Sequence, residues 1–471
     1  MLKTIKNICC IGAGYVGGPT MSVIAKNCPK IQVNVVDTNK ERIEQWNNSD
    51  LTKLPIFEPG LDKIIKETRG KNLHFSTNIE EELSKADIIF ISVNTPTKTK
   101  GIGAGKAIDL KWVEKSARQI AKYANGYTIV VEKSTIPVRT AETIKKILTS
   151  NNFYSEDKIF KNKSFSVLSN PEFLAEGTAV DDLTNPDRIL IGGDNDEAIN
   201  LLAEIYSNWI DKKKILTTDL WSSELSKLIS NAFLAQRISS INSISALCES
   251  TGADIDNVSK AVGMDKRIGK DFLKVGPGFG GSCFKKDILN LVYICDYYGL
   301  YVVAKYWQKV IEINDWQQNR IVEIIVKKMF SNIAEKKIAI LGFAFKANTN
   351  DTRESPAIEI CKRLIEEGAN LSIYDPKVPS EKIISDLNLE DFSRKELYKQ
   401  NVTIEKNLVD TITDSDAIII ITEWEDFERI DWKVFSKKMR SPAYLFDTRS
   451  IVNNEEVEKN GINLWKIGSS N

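Results

Sequence analysis

Cys283 and Asp287 form the first pair of residues whose types and spacing could do chemistry. Cys283 follows Gly276-Pro277-Gly278-Phe279-Gly280-Gly281-Ser282, with four glycines in its first six residues, and precedes the apolar, helically spaced run from Ile288 to Cys295. Backbone without Cβ atoms can approach a ligand closely. A thiol placed where such a loop becomes a helix sits at the positive end of the helix dipole, which favours the thiolate. Asp287, four residues on, falls on the same helix face. The pattern fits a nucleophile with a carboxylate beside it, and it equally fits a buried structural cysteine at a tight turn. Lys227 and Asn231 make a second pair with the same spacing: an ammonium and an amide on one face of an otherwise apolar helix, the alternative being a solvated stripe.

Composition narrows the chemistry. A single histidine, His74, cannot assemble a Ser-His-Asp triad or a histidine metal site, and no metal is expected. Seven cysteines with no Cys-x-x-Cys pair argue against a disulfide framework or a zinc ribbon, and for a reducing cytoplasm. Lys plus Arg and Asp plus Glu are 64 each, so no nucleic-acid or membrane-surface partner is expected from net charge. No run of 18 apolar residues predicts a spanning helix. The first residues read straight into a strand, with no signal segment.

The elements that must position these groups begin with Ile8-Cys9-Cys10-Ile11, a short apolar run of the buried parallel-strand type. It ends in Gly12-Ala13-Gly14-Tyr15-Val16-Gly17; residues 19–26 then read as a helix, and 31–36 as a second strand closed by Asp37. This is the βαβ dinucleotide fingerprint in its proper context. The glycines allow the turn, the pyrophosphate sits on the helix N-terminus, and Asp37 accepts from a ribose hydroxyl. A carboxylate there repels a 2′-phosphate, so NAD is expected rather than NADP, and Arg42 is placed to stack near the adenine. A glycine turn in an unrelated α/β domain is the competing reading.

Three further strands end in small polar residues and proline. Residues 87–93 lead into Asn94-Thr95-Pro96-Thr97, 127–131 into Glu132-Lys133-Ser134-Thr135-Ile136-Pro137, and 165–168 into Ser169-Asn170-Pro171-Glu172-Phe173-Leu174-Ala175-Glu176-Gly177. Ligands gather at the carboxyl ends of strands in open α/β sheets, so the three ends predict one shared cleft; ordinary turn chemistry is the alternative. The Gly- and Lys-rich loop 97–106 reads as mobile and exposed.

A helix predicted over about 219–250 has no Gly or Pro until Gly252, and a second long helix is predicted over about 302–330. Helices of this length link domains or pair with a copy of themselves. Beyond them the opening pattern returns, without its fingerprint. Strands at 337–341 and 371–375 flank a helix at 357–367, with further strands at 416–422 and 444–447. This last segment should not hold a dinucleotide. Lys346 and Arg449, at two of its strand ends, would suit the anionic groups of a nucleotide diphosphate. The expected architecture is an α/β fold of two Rossmann-like, doubly wound domains, residues 1–216 and 331–471. A long central helix and a helical middle domain, residues 217–330, join them.

Ile11-Gly-Ala-Gly-Tyr-Val-Gly-Gly18, Val93-Asn-Thr-Pro-Thr97, Glu132-Lys-Ser-Thr135, Ser169-Asn-Pro-Glu-Phe-Leu-Ala-Glu-Gly177, Ser222-Ser-Glu-Leu-Ser-Lys227, Asn231-Ala-Phe-Leu-Ala-Gln-Arg237, Gly278-Phe-Gly-Gly-Ser-Cys-Phe284 and Gly342-Phe-Ala-Phe-Lys346 together resemble the UDP-glucose/GDP-mannose dehydrogenase family, its animal-type members above all. The resemblance runs over essentially the whole chain. It implies oxidation of the C6 alcohol of UDP-glucose to a carboxylate in two NAD-dependent steps without release of the aldehyde.

By the same resemblance Cys283 is the nucleophile and Lys227 the cation near the oxyanion. The base for the alcohol is a lysine, or a water held by Lys227, Asn231 and Thr135. Glu172 and Asp287 share the hydrolytic step, in roles the sequence leaves open. The implied cofactor site is Gly12, Ala13, Gly14, Tyr15, Val16, Gly17, Asp37, Arg42, Val93, Asn94, Thr95, Pro96, Thr97, Ser134, Thr135, Ile136, Glu176, Cys283, Lys286 and Arg353. The implied sugar-nucleotide site is Glu172, Phe173, Leu174, Ala175, Glu176, Lys227, Asn231, Lys274, Val275, Gly276, Phe279, Gly280, Phe345, Lys346 and Arg449, with Arg267 reaching it from a neighbouring subunit. The resemblance also implies dimers building to a hexamer, and makes UDP-xylose a feedback inhibitor acting through the Thr135 loop.

Three departures stand out. Phe446-Asp-Thr-Arg-Ser450 replaces the Asp-Gly-Arg-Arg of the animal-type members, Pro277 stiffens the glycine loop, and the long polar tail is absent from the sequence read. A sister enzyme acting on GDP-mannose or a UDP-N-acetylhexosamine is the alternative within the chemistry. A non-catalytic nucleotide-sugar sensor is the alternative outside it, and the intact set of Lys227, Cys283 and Asp287 argues against that.

Overall fold

The protein is described from a computed structural model covering residues 4–150, 163–388 and 401–469. The chain forms two compact units, Met1–Ser230 with Leu289–Tyr297, and Asn231–Ile288 with Tyr298–Asn471. Each is built on its own sheet.

The first unit holds strands β1 (Asn7–Ile11), β2 (Gln32–Val36), β3 (Leu73–Ser76), β4 (Ile88–Ile91), β5 (Tyr127–Glu132), β6 (Ser164–Ser169), β7 (Ile189–Gly192) and β8 (Ile215–Thr218). Among the described residues they form one sheet in the order β3-β2-β1-β4-β5-β6-β7-β8. Every pairing is parallel except β6 with β7, which meet antiparallel at Ser169 and Gly192. Strand order reverses between β1 and β4, the switch point where open α/β sheets bind ligands. Ile8, Cys9, Cys10, Ile88, Ile89 and Phe90 are fully buried, as expected of central strands covered on both faces. The apolar runs made these strands readable. β3, β7 and β8 were not, because β3 and β7 have only four residues each and two of β8's four are exposed.

The loop expected to be mobile is folded on itself. The Lys98 N–H donates to the Ala107 carbonyl at 2.7 Å, Gly105 N–H donates to the Lys98 carbonyl at 2.8 Å, and Thr97 pairs with Ile108 as an antiparallel bridge. Thr99, Lys100, Gly101, Ile102, Ala104 and Gly105 are exposed, as the sequence leads one to expect.

The second unit repeats the plan with β9 (Lys337–Leu341), β10 (Asn370–Tyr374), β11 (Val402–Ile404), β12 (Ala417–Ile420), β13 (Ala443–Asp447) and β14 (Ile462–Lys466). The described strands run β11-β10-β9-β12-β13-β14, all parallel. The central helix runs Leu220–Thr251 and the second long helix Tyr301–Lys328, close to the predicted bounds. The unit boundary falls inside the central helix, between Ser230 and Asn231.

Amide side chains from the two long helices hold the glycine loop. Asn242 Oδ1 accepts from Gly276 N at 3.0 Å, Gln317 Nε2 donates to the Gly276 carbonyl at 3.0 Å, and Asn314 Oδ1 accepts from Phe279 N at 2.7 Å. Gly278 has φ +124°, and a Cβ there would lie 2.8 Å from Asn314 Oδ1, so both conformation and space demand glycine. Gln317 is itself oriented by Arg320, whose Nη1 donates to Gln317 Oε1 at 3.0 Å while its Nη2 pairs with Glu249 at 2.5 Å in a largely buried ion pair. Removing the guanidinium leaves the Glu249 carboxylate without its counter-ion and Gln317 without its orienting donor. Arg320→Leu is therefore expected to lose about 3–5 kcal/mol of unfolding free energy, read as a lower urea midpoint at unchanged slope.

Candidate active site

The dinucleotide cradle lies at the end of β1. Gly12 has φ +111°, and a Cβ on it would come within 2.3 Å of the Ser92 carbonyl oxygen; a Cβ on Gly17 would fall 2.0 Å from the Gly12 carbonyl oxygen. A Cβ on Gly14, by contrast, would meet nothing within 4 Å, so open space lies over the turn. Asp37 Oδ2 accepts from Ala13 N at 3.0 Å and faces Arg42 Nη1 at 3.3 Å. Trp46, fully buried and stacked on Phe75 with ring centroids 4.6 Å apart, donates its indole N–H to the Ala13 carbonyl at 3.0 Å. The turn is clamped on the protein side and open on the other. Gly12 to Gly17 and Asp37 thus fit the pyrophosphate and ribose of NAD.

The three polar strand ends are joined side by side. Thr95 Oγ1 donates to the Thr135 carbonyl at 3.0 Å and Ser134 Oγ to the Val93 carbonyl at 2.7 Å, which ties the loop after β4 to the loop after β5. Lys133 ties the latter to the loop after β6, since its Nζ donates to Asn170 Oδ1 at 3.1 Å and lies 3.4 Å from the Tyr206 hydroxyl. Tyr206 donates to the same Asn170 oxygen at 2.6 Å. Thr95, Thr135 and Ile136 are buried, Val93, Pro96, Thr97 and Ser134 half-buried, and Asn94 exposed. The three strand ends expected to share a cleft are thus joined by side-chain hydrogen bonds.

Glu172 and Lys227 meet in this unit. Glu172 Oε1 lies 3.2 Å from Lys227 Nζ, with side chains only 6% and 5% exposed, and Glu172 Oε2 accepts from Leu174 N at 2.9 Å. The Phe173 ring has Lys227 Nζ 5.4 Å from its centroid and the Arg188 guanidinium at 3.9 Å. The segment that follows is anchored through Glu58, whose two carboxylate oxygens accept from Gly177 N at 2.7 Å and Ala179 N at 3.1 Å. Ala175 is exposed and Glu176 half-buried.

In the second unit Cys283 stands immediately before the helix Phe284–Tyr297, as the sequence predicts. It is half-buried, its Sγ lies 3.4 Å from Ser282 Oγ, and its carbonyl accepts from Asp287 N at 2.9 Å. Asp287 is fully buried. Its Oδ2 accepts from Asn231 Nδ2 at 2.6 Å and its Oδ1 lies 3.9 Å from Lys286 Nζ. Gly280 and Gly281 pack against protein: a Cβ on Gly280 would meet the Glu354 carbonyl oxygen at 2.6 Å, and Gly281 N donates to the Arg353 carbonyl at 2.8 Å. Val275 and Phe279 are buried and Lys274 exposed.

The cations of this unit are differently disposed. Lys346 Nζ lies 5.5 Å from the centroid of the Phe345 ring. Arg449 donates to the carbonyls of Ile421 at 2.6 Å and Phe345 at 3.0 Å and pairs with Glu423 at 3.0 Å. Any anion at Arg449 therefore meets a guanidinium already anchored on three protein oxygens. Arg353 forks onto Asp351, at 2.8 and 2.7 Å, and the exposed Arg267 pairs with its own neighbour Asp265 at 2.6 Å. Among the described residues no group of three or more His, Cys, Asp or Glu could hold a metal ion, and no helix is long and apolar enough to cross a membrane.

A dinucleotide cradle at the switch point of a doubly wound sheet is the signature of an NAD-dependent dehydrogenase. Known proteins place the chain further. The UDP-glucose/GDP-mannose dehydrogenase family matches in three parts: its NAD binding domain over residues 6–210, its central domain over 221–316 and its UDP binding domain over 339–454. The chain belongs to this family. It is 54% identical to the UDP-glucose 6-dehydrogenase of Mus musculus over 98% of this chain and 93% of that one. It is 53% identical to UDP-glucose 6-dehydrogenase 4 of Arabidopsis thaliana, over 98% and 96%. A UDP-glucose dehydrogenase structure from Pyrobaculum islandicum superposes with a TM-score of 0.83 at 28% identity, covering 99% of this chain and 98% of that one. Animal and plant relatives are equally similar, so identity does not set the animal type apart.

Lys133 is the group that reading the sequence passed over, although it lies within Glu132-Lys-Ser-Thr135. A lysine at the end of a buried strand, three residues before a proline turn, was the available signal. Burial pushes its ammonium down to about 8; the Glu172 carboxylate resists that shift and the Lys227 charge adds to it. A lysine held below its unfolded value binds fewer protons when folded, so its burial costs stability below pH 8, and that cost is relieved as pH rises towards the unfolded value near 10. The free energy of unfolding of wild type relative to Lys133→Met is expected to rise by about 3 kcal/mol between pH 8 and 10.5. Chemical denaturation across that range checks it, and parallel curves would count against a depressed Lys133.

Proposed function

We propose that this NAD-dependent dehydrogenase oxidises UDP-glucose to UDP-glucuronate through a thioester on Cys283. The observation that carries the reading is Cys283 at the start of its helix, with Asp287 buried one turn on and tied to Asn231. In the first oxidation the C6 hydroxyl gives its proton to a lysine, or to a water held by Lys227, Asn231 and Thr135, as C6 loses a hydride. NAD, held by Gly12 to Gly17 and Asp37, supplies the hydride acceptor when bound. The aldehyde has no second hydride to lose until its carbon is tetrahedral. The Cys283 thiolate adds to C6, forming the C–S bond, and the Lys227 ammonium stabilises the charge that appears on oxygen. Loss of the second hydride leaves the thioester. Water then adds to its carbonyl and the thiolate departs, giving the carboxylate. The overall change is one alcohol and one water to one carboxylate, with two NAD reduced.

Glu172, beside Lys227, is assigned as the base for that water. Asp287, fully buried and engaged by the Asn231 amide, is assigned to positioning. Phe173, Leu174, Lys274, Phe279, Phe345, Lys346 and Arg449 are assigned to the UDP-sugar. The division at 1–216, 217–330 and 331–471 is kept as the functional one: cofactor, linking and sugar-nucleotide segments. Phe233 and Leu247 on the central helix, and Tyr301, Val302 and Tyr306 on the second long helix, are large apolar side chains more than half exposed. They favour self-association into dimers building to a hexamer, in which the exposed Arg267 serves a neighbouring subunit. UDP-xylose is proposed as a feedback inhibitor. Cytoplasmic residence suits a protein with seven cysteines, six of them buried.

Incubation with limiting UDP-glucose and excess NAD is expected to give two NADH per sugar; activity with GDP-mannose and none with UDP-glucose would overturn the substrate assignment. Cys283→Ser is expected to lose at least 1,000-fold in kcat (a barrier rise of about 4 kcal/mol) while NAD and UDP-glucose still bind in calorimetry. Wild-type turnover in that variant would rule out the thioester.

A further inference from the structure

Glu224 lies in the central helix three residues before Lys227 and is only 3% exposed. It is not part of the catalytic set assigned above. Its two carboxylate oxygens accept from two main-chain amides: Oε2 from Arg139 N at 2.6 Å and Oε1 from Ala141 N at 2.8 Å. These amides open the helix Thr140–Thr149. Arg139 itself has φ +76°, a left-handed conformation that costs a non-glycine residue about 1 kcal/mol or more and persists only where neighbours impose it. The Glu224 carboxylate is such a neighbour.

The same carboxylate is met from the other side by Glu132, the last residue of β5, 2% exposed. Segment 132–139 is therefore fastened to Glu224 by amide hydrogen bonds where it enters the next helix, and its first residue brings a second buried carboxyl, without a hydrogen-bond donor of its own, into the neighbourhood of Glu224. Between those points it carries Lys133 and Thr135. The other charged groups around the pair are Lys145, one turn into the helix Thr140–Thr149 and paired with Asp194, and Arg139, whose guanidinium turns away over the Trp221 ring at 4.7 Å.

We propose that Glu224 is a positioning residue for the reaction, and that it and Glu132 share one proton in a latch that holds segment 132–139, and with it Thr135, against the helix bearing Lys227. Two carboxylates in one buried site cannot both ionise. With one shared proton, on Glu132, the Glu224 carboxylate accepts from both amides. A second proton converts one of its oxygens to a hydroxyl and leaves one amide without an acceptor. Removing the first proton places two negative charges in contact. Burial pushes the Glu224 carboxyl up to about 7 and, together with the Glu224 charge, pushes Glu132 well above the usual carboxylate range. The single-proton state is thus the one above neutral pH. Both values are raised on folding, so the folded chain binds more protons than the unfolded one, and stability falls as pH rises through 7.

The proposal rests on the assignment of Thr135 and Lys227 to the reaction. Two variants test it. Glu224→Gln offers one acceptor oxygen to two amides and sets an NH2 against one of them. Its kcat is expected to fall at least tenfold at pH 8 with the KM for UDP-glucose within threefold, and the Arg139 and Ala141 amides are expected to exchange hydrogen at least tenfold faster. Glu132→Gln carries a permanent donor in place of the shared proton. It is expected to flatten the fall of stability between pH 7 and 9 and to leave the acid limb of kcat near pH 7, which the burial of Glu224 sets. Wild-type kcat and wild-type amide exchange in Glu224→Gln would overturn the proposal. Should that variant fail to fold, an unchanged slope of stability against pH in Glu132→Gln overturns it equally. Amide exchange and stability are read without substrate, so the latch fails or stands independently of the thioester, which Cys283→Ser tests alone.

Discussion

A buried ion pair sets the terms for the first unit. Glu172 and Lys227 face each other at 3.2 Å with almost no solvent, and taking two such charges out of water costs several kcal/mol per ion. The pair persists because its surroundings are satisfied as well. Glu172 accepts a main-chain amide, and Lys227 stands near the face of Phe173. Behind them Lys133, Asn170 and Tyr206 close a second polar layer. An apolar pair would be at least as stable here, so the arrangement is better understood as a dry site in which charge acts at full strength.

The same economy of water governs the second unit by different means. Its glycine loop is held by amides rather than charges. Asn242, Asn314 and Gln317 reach it from two long helices, and Arg320 and Glu249 stiffen that contact from behind. A neutral amide can satisfy buried backbone groups without the desolvation penalty of an ion. Asp287 is a fully buried carboxyl held by the Asn231 amide. A loop fixed this firmly gives Cys283 a rigid mount, which the proposed thioester route calls for.

Much of this was legible in the sequence, for identifiable reasons. Central strands such as Ile8–Ile11 and Ile88–Ile91 are continuous apolar runs, and the long helices have no internal Gly or Pro, so periodicity located them. Cys283 was placed at its helix start because glycine and an apolar repeat mark a boundary. The edge strands β3, β8, β11 and β14 escaped, since short or half-exposed runs carry too little pattern. Glycine and lysine content marked loop 97–106 as exposed but says nothing of the cross-loop hydrogen bonds that fold it. That the Arg449 guanidinium also reaches Ile421, Phe345 and Glu423 carries no sequence signal, because it depends on where two distant segments return. The groups missed altogether, Lys133, Glu58 and Glu224, act through main-chain amides or through burial, and neither leaves a residue pattern.

These missed groups also explain how one small region can hold protons at unusual positions. Burial weakens the Lys133 ammonium, and burial strengthens the hold of Glu132 and Glu224 on theirs. Both shifts follow from the same desolvation, which penalises whichever form is charged. Lys133 and Glu132 are adjacent at the end of one strand, yet their surroundings differ. Lys133 turns to oxygens of Asn170 and Tyr206, while Glu132 turns to a second carboxyl. A strand alternates its side chains between two faces, so neighbouring residues can be given opposite environments without any change of backbone. The end of β5 uses that alternation to set an ammonium with a weakened hold on its proton beside a carboxyl with a strengthened one.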